Sequence, residues 1–284
     1  MDSILINSPV KINIGLNIIN KRSDGFHNLE TIFYPLNLFD ELHFSKSDEF
    51  NFKSNDQNLT NDKSNLICRA IHLLENEFNL NLKVKVNLKK NIPIGAGLGG
   101  GSSNAASTLL AVAKLFELEI DKKQLVELAL KLGSDVPYFL NPVPAFAELR
   151  GENIIPLDLD IDNFLLIVNP GIHISTKWAF GLIKPEQPKI SLKSLLDKTR
   201  IDVNELMRIA RNDFEKIVFD HFPEIREIKQ NLLSFGALFS MMTGTGSTVW
   251  AMFDDKELAH QSELYFKGKN YFTFVQNPTL PHSQ

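Results

Sequence analysis

Residues 93–106 read Pro93-Ile-Gly-Ala-Gly-Leu-Gly-Gly-Gly-Ser-Ser-Asn-Ala-Ala106. Five glycines fall within the seven residues from Gly95 to Gly101, so the backbone can take positive φ and a ligand can approach it closely. Upstream, Leu82–Leu88 alternates as a strand. Downstream, Ser102–Phe116 carries Ala106, Leu109, Leu110, Ala113 and Phe116 at helical spacing. A glycine loop feeding a helix start gathers free N–H groups and the positive dipole end at one spot, an anion site made without charged side chains. Ser102 and Ser103 add hydroxyls suited to phosphate oxygens or to a phosphate-bound metal. A flexible linker of this composition would rarely lie between a strand and a helix. Gly95-x-Gly97-x-x-Gly100 formally matches a dinucleotide fingerprint, but Pro93 breaks the strand-to-glycine turn and a second helix follows where a strand ending in an acid is required. No Lys follows the last glycine, so the Walker pattern fails too. The loop indicates a phosphate without saying whose.

Working outward, Val10, Ile12, Ile14, Leu16 and Ile18 alternate with Lys11, Asn13, Gly15 and Asn17, which predicts a strand. Lys11 and Asn13 share one face, which is either solvated or covered by something that needs them. The segment Asn20–His27 (NKRSDGFH) has the Asp-Gly pair of a tight turn, and Leu29–Leu38 reads as the next strand. Residues 45–63 read as loop or an edge excursion, and a helix is expected from about Ser64 to Phe78. Asp121, with Gln124 three residues on, reads as a capping box opening a helix that stops at Gly133. In Gly133-Ser-Asp135-Val-Pro137, Pro137 is expected to hold Val136 extended, leaving Asp135 at a helix end as either a turn acid or a partly buried working acid.

Beyond Ala145–Arg150, a strand, the pattern continues with a strand at Phe164–Val168, helices at Val203–Phe219 and Glu224–Leu233, and strands at Phe239–Met242 and Thr248–Phe253. The last two flank Thr243-Gly244-Thr245-Gly246-Ser247. A helix at Lys256–Phe266 and a strand at Tyr271–Val275 follow. Strands and helices thus segregate into two α+β units, 1–150 and 151–284, unlike an alternating wound sheet.

Composition limits the chemistry. The 284 residues are 43% hydrophobic and 23% charged, the balance of a globular protein. The net charge of −4 argues against nucleic acid as a partner. One cysteine, Cys68, excludes an internal disulfide and multi-thiolate metal sites, and fits a cytoplasmic setting. The seven histidines, 27, 43, 72, 173, 221, 260 and 282, show no metal-ligand spacing, so no protein metal site is expected. The opening MDSILINSPVK lacks the features of a secretory signal, and the longest uncharged stretch, 91–113, is too rich in Gly, Ser and Asn to span a membrane.

Together the P-x-G-x-G-L-G-G-G-S-S loop, the lysine-bearing first strand and the C-terminal Gly-x-Gly turn resemble the GHMP small-molecule kinases. Lys11-Ile-Asn13, Arg22-Ser-Asp-Gly-Phe-His27, Asn65-Leu-Ile, Gly99–Ala106, Gly133-Ser-Asp135-Val-Pro137 and Thr243–Gly246 are most similar to the branch that phosphorylates 4-diphosphocytidyl-2-C-methyl-D-erythritol. The resemblance implies a two-domain α+β fold, with an N-terminal domain like the second domain of ribosomal protein S5 and a ferredoxin-like C-terminal domain. It also implies ATP and Mg²⁺ as cofactors, and phosphoryl transfer to the 2-hydroxyl of a small cytidine diphosphate substrate in the non-mevalonate isoprenoid pathway.

By resemblance, Asp135 is the general base and Lys11 its electrostatic partner. Asn65, Pro93, Gly95, Gly97, Leu98, Gly99, Gly100, Gly101, Ser102, Ser103 and Asn104 would hold the nucleotide. Asn13, Phe26, His27, Phe180, Gly244 and Thr245 would hold the substrate, with Phe180 open to a second reading as core packing. A monomer or a homodimer is expected. Two departures stand out: Phe26 where the family usually has Tyr, and Val10 where Ala usually precedes the lysine. A Tyr-to-Phe change keeps stacking and loses a hydroxyl. The alternatives are a GHMP kinase for homoserine or mevalonate, which would lack the Asp24–His27 segment, a non-catalytic nucleotide sensor, which would lose Lys11 or Asp135, and a dinucleotide oxidoreductase.

Overall fold

The structure, a computed structural model, describes residues 2–62, 64–198 and 202–278. In chain order the first half holds β1 (Ser3–Lys21), β2 (His27–Lys46), β3 (Asn51–Ser54), α1 (Leu66–Phe78), β4 (Val84–Lys89), α2 (Gly100–Leu115) and α3 (Lys122–Leu132). Then come β5 (Ala145–Leu149), β6 (Asn153–Pro156), β7 (Phe164–Asn169), α4 (Thr176–Leu182), α5 (Val203–Ile209) and α6 (Phe214–His221). The chain ends with α7 (Pro223–Ser234), β8 (Phe239–Met242), β9 (Val249–Phe253), α8 (Lys256–Gly268) and β10 (Phe272–Gln276).

One compact unit comprises Met1–Val10, Asn37–Ile94 and Gly99–Pro142. In it the Glu41–Lys46 end of β2 pairs antiparallel with β4, and β3 lies parallel to β4 on the other side, so the polar segment read as loop or edge does supply an edge strand. Helix α1 packs on α2, and α3 and a 3-10 turn at Pro137–Leu140 pack on α2 as well. Gly100, Ser103 to Leu109, Ala111, Val112 and Leu115 are all buried; a helix of such small and apolar side chains can be enclosed nearly all round. Asp121 caps α3 by accepting from the Gln124 N–H at 2.8 Å. The expected reciprocal half of the capping box is missing, because the Gln124 amide instead donates to Glu77 at 3.1 Å.

The other unit comprises Lys11–Leu36, Gly95–Leu98 and Val143–Gln284. Here the Leu29–Phe33 part of β2 pairs with β5, which pairs with β6, all antiparallel. A second sheet has the order β10-β7-β9-β8, every pair antiparallel, with α7 and α8 packed on its strands. With its strands numbered along the chain this is the 4-1-3-2 order of a split β-α-β, ferredoxin-like domain, as expected. Its core joins Leu166, Val168, Phe214, Ile228, Phe253 and Phe266.

Two local expectations fail for identifiable reasons, and a third reading, left open, is decided. The helix expected over Val203–Phe219 is two helices, because residues 211–213 leave helical geometry to bond β1: the Leu16 N–H donates to Arg211 O at 2.7 Å and the Asp213 N–H to Leu16 O at 3.0 Å. Val136 is helical (φ −63°, ψ −41°), not extended; its N–H donates to Gly133 O and its carbonyl accepts from Phe139, and these turn bonds outweigh the restriction imposed by Pro137. The second face of β1 is not solvated: Lys11 and Asn13 are each 3% exposed and Asn17 is fully enclosed. Helix α4, which the sequence did not suggest, has seven residues and only Ala179 fully buried, too short for a readable period.

Candidate active site

In the first unit the glycine run enters α2 through Gly99, whose φ of +75° is left-handed and which caps the helix without any side chain. The first intrahelical bond is Ser103 N–H to Gly99 O at 2.9 Å, so the N–H groups just before it have no helical acceptor. Gly101 is exposed and Ser102 half-exposed beside them. Ser103 points inward, fully enclosed, and accepts from the Ser8 hydroxyl at 2.8 Å. Asn104 is 3% exposed and its amide oxygen has no hydrogen-bond partner. Asn65 caps α1, accepting from the Ile67 N–H at 3.0 Å and donating to Thr60 O at 3.1 Å.

The strand leading to the loop is anchored by a pair that sequence reasoning missed. The fully buried Asp40 carboxylate is 2.6 Å from Lys90 Nζ and accepts from the Asn91 and Ile92 N–H groups at 2.8 and 3.0 Å. Burial pulls the Lys90 pKa below its ordinary value despite the Asp40 charge. The available signal was weak: Asp40 sits beside a second acid, Glu41, in the strand segment Leu36–Leu42. Asp135 is half-buried in the turn joining α3 to the 3-10 turn, among the buried Leu132, Val136 and Pro137.

In the second unit Lys11 and Asn13 converge on the 243–246 turn. Lys11 Nζ donates to Asn13 Oδ1 at 2.6 Å and stands 5.0 Å from the Phe33 ring centre. Asn13 Oδ1 also accepts from Thr243 Oγ1 and the Gly244 N–H, at 3.2 and 3.1 Å, while Asn13 Nδ2 donates to Thr31. Asn212, another residue missed from sequence, donates to Met242 O and Gly244 O at 2.8 and 2.9 Å and so ties down the turn. Gly97 lies against the same turn: a Cβ there would be 2.5 Å from Thr243 O. Gly95 lies beside His173, Leu98 O accepts the Lys11 N–H at 3.1 Å, and the Thr245 hydroxyl lies 3.4 Å from that of Thr176, whereas Pro93 belongs to the first unit.

Phe26 and His27 close the 22–27 turn of the same unit. The Phe26 N–H donates to Asp24 Oδ1 at 3.1 Å, and Phe26 is 50% exposed. His27 is buried and faces Phe180 at 5.2 Å between ring centres, and Phe180 meets Phe214 edge-on at 4.9 Å. Phe180 therefore packs on the C-terminal core while presenting its ring to His27. Burial, and then the Lys21 charge, lower the His27 pKa, so the imidazole is neutral at neutral pH. Burial chiefly pushes the Cys68 thiol up to about 11, which removes it as a nucleophile.

No three His, Cys, Asp or Glu side chains cluster to hold a metal among the described residues, His282 lying outside them. No helix among the described residues is long and apolar enough to cross a membrane. The model of the GHMP kinases N terminal domain matches residues 65–141, and that of the GHMP kinases C terminal matches residues 191–268. A protein of Chlorobium phaeobacteroides named 4-diphosphocytidyl-2-C-methyl-D-erythritol kinase is 39% identical, over 98% of this chain and 96% of its own. One of the same name from Bacteroides fragilis is 42% identical over 87% and 91%. The crystal structure of a 4-(cytidine 5'-diphospho)-2C-methyl-D-erythritol kinase superposes with a TM-score of 0.80 at 30% identity, covering 96% of this chain and 98% of that one. Homoserine kinase from Cytophaga hutchinsonii, at 0.73 and 19% identity over 99% and 95%, shares the fold.

Proposed function

Because the chain belongs to the GHMP kinases, in the branch of the 4-diphosphocytidyl-2-C-methyl-D-erythritol kinases, we propose that it transfers the γ-phosphoryl group of ATP to the 2-hydroxyl of 4-diphosphocytidyl-2-C-methyl-D-erythritol, in the cytoplasm, as a step of the non-mevalonate route to isoprenoid precursors. The observation that carries this reading is identity of about 40% along nearly the whole chain to relatives of that name. The homoserine kinase likeness is one of fold at 19% identity. The division at residue 150 into N- and C-terminal domains accompanies the proposal, and the two family matches fall on either side of it.

Phosphoryl transfer depends on alignment and charge stabilisation more than on covalent help. The side-chain-free cap of α2, with Gly99 left-handed and Gly101 exposed, suits triphosphate oxygens, which the unpaired N–H groups would bind. Mg²⁺ fits the oxygen donors here, Ser102 and the unpartnered Asn104 amide, because that ion takes one or two protein oxygens and completes its shell with phosphates and water. When bound, it neutralises charge developing on the phosphate oxygens. Asp135 accepts the proton of the attacking hydroxyl, a role suited to a carboxylate half-removed from water. Lys11, held by Asn13, supplies a fixed positive charge to the transferring group. Phe26, His27 and Phe180 offer flat faces to the cytosine, and Gly244 and Thr245 belong to the substrate side.

An ADP-release assay with ATP and, in turn, the cytidine diphosphate alcohol, homoserine and mevalonate tests the proposal. Turnover with the first alone is expected; turnover with homoserine or mevalonate in its place overturns it.

A further inference from the structure

Leu149 ends β5 at φ +64°, a conformation that side-chain-bearing residues rarely adopt, although it is 43% exposed and gains little by burial there. The next residues turn back at once: the Gly151 N–H donates to Glu148 O at 3.1 Å, and the Arg150 N–H donates to the Glu152 carboxylate at 2.7 Å. Strain kept at an exposed position calls for a reason. Its result is that the Arg150 guanidinium lies 3.9 Å from the centre of the Phe26 ring.

The Phe26 backbone is fixed independently. Its N–H bonds Asp24 Oδ1, its carbonyl accepts from the Arg22 N–H at 2.8 Å, and Asp24 and Arg22 form an ion pair at 2.9 Å. The turn sets where the ring starts, and Arg150 sets how the ring lies. A benzene ring has two faces, and a planar cation on one leaves the other for a flat base. Stacking on a ring already held in one orientation avoids the entropy of ordering it on binding. Only a planar side chain can do this; a lysine ammonium is a point charge on a flexible stem.

We propose that Arg150 is a positioning residue that stacks on one face of Phe26 and so fixes the opposite face for the pyrimidine of the substrate. This rests on the proposed function above. Its test is steady-state kinetics of wild type, Arg150→Ala, Arg150→Lys, Phe26→Ala and the Arg150→Ala/Phe26→Ala double variant, each substrate being varied separately, with a thermal melt of each.

With Phe26 exposed and Arg150 half-buried, a cation–π contact of this kind corresponds to at least roughly a two- to fivefold change in affinity. Arg150→Ala is expected to raise KM for the cytidine diphosphate alcohol by that factor, with kcat, the KM for ATP and Tm close to wild type. Arg150→Lys recovers little of the loss. In the Phe26→Ala background the Arg150 substitution adds nothing, because the ring through which it acts is gone. Should Arg150→Ala fail to fold, Arg150→Lys decides on the same KM. An unchanged KM, or effects that add in the double variant, overturns this proposal alone. A wild-type enzyme inert toward the cytidine diphosphate alcohol overturns the functional reading, and this proposal with it.

Discussion

An ammonium 2.6 Å from an amide oxygen and 5.0 Å from an aromatic centre, on a residue 3% exposed, is a charge held in place by design of the strand that carries it. Asp135, the other residue assigned to the chemistry, is tested by Asp135→Asn, which keeps shape and removes basicity. Turnover is expected to fall ~10²–10⁴-fold, the usual scale of general-base catalysis, while calorimetry still detects ATP. Wild-type-like turnover would sink the assignment. His27 makes a prediction in pH. Its folded pKa lies below the ordinary 6.5, by burial first and the Lys21 charge second, so just below pH 6.5 the unfolded chain binds more protons than the folded one. This residue's contribution to stability is therefore present above pH 6.5 and declines as the pH falls through that value toward the folded pKa. An NMR titration of the imidazole should show a midpoint under 6.5; a midpoint at or above 6.5 contradicts the burial argument.

Two glycines in one run serve different elements. Gly97 has φ +77°, and a Cβ would meet Thr243 O at 2.5 Å and Gly246 O at 3.0 Å, both backbone atoms that have nowhere to go. Gly97→Ala should therefore lower the unfolding free energy, measured by urea titration, by more than the about 1–2 kcal/mol that the left-handed conformation alone would cost. Gly100 opens α2, and its Cβ would meet Ile92 Cγ2 and Cβ at 3.2 and 3.6 Å and Lys90 Nζ at 3.3 Å, side-chain atoms that must give by a few tenths of an ångström. Ile92 is buried and Lys90 is paired with Asp40, so Gly100→Val is expected to fold with a lowered Tm and to lose ATP affinity, because the branched side chain would stand where the proposed phosphate site meets the helix end. Unchanged ATP binding by a folded Gly100→Val protein, measured by calorimetry, would place the phosphate site elsewhere.

For the whole molecule, a ligand that binds only the folded chain stabilises it by about 2.7 kcal/mol at a hundred times its Kd. ATP with Mg²⁺ should raise Tm accordingly, and NADH at the same concentration should not; a shift with NADH alone would revive the dinucleotide reading. What could be read in the sequence was local. The glycine run, the Asp121 cap, the periods of α2, α7 and α8 and the hydroxyl-glycine turn at 243–247 announce themselves within a few residues, because each answers to backbone geometry or to a face repeating every two or 3.6 residues. The order of strands in the C-terminal sheet follows from resemblance and is met by the structure. The surroundings of a side chain were not legible. Period alone favoured a solvated face for Lys11 and Asn13, and the cover comes from Thr243, 230 residues away from Asn13. The break between α5 and α6 arises because β1 recruits residues 211–213, and the guanidinium on Phe26 comes from a hairpin turn far along the chain. The sequence by itself determined most of the elements, the glycine run and the family, because these are written in neighbouring residues. Tertiary structure alone decided which polar groups are buried and what they touch, because burial and contact depend on elements that only folding brings together.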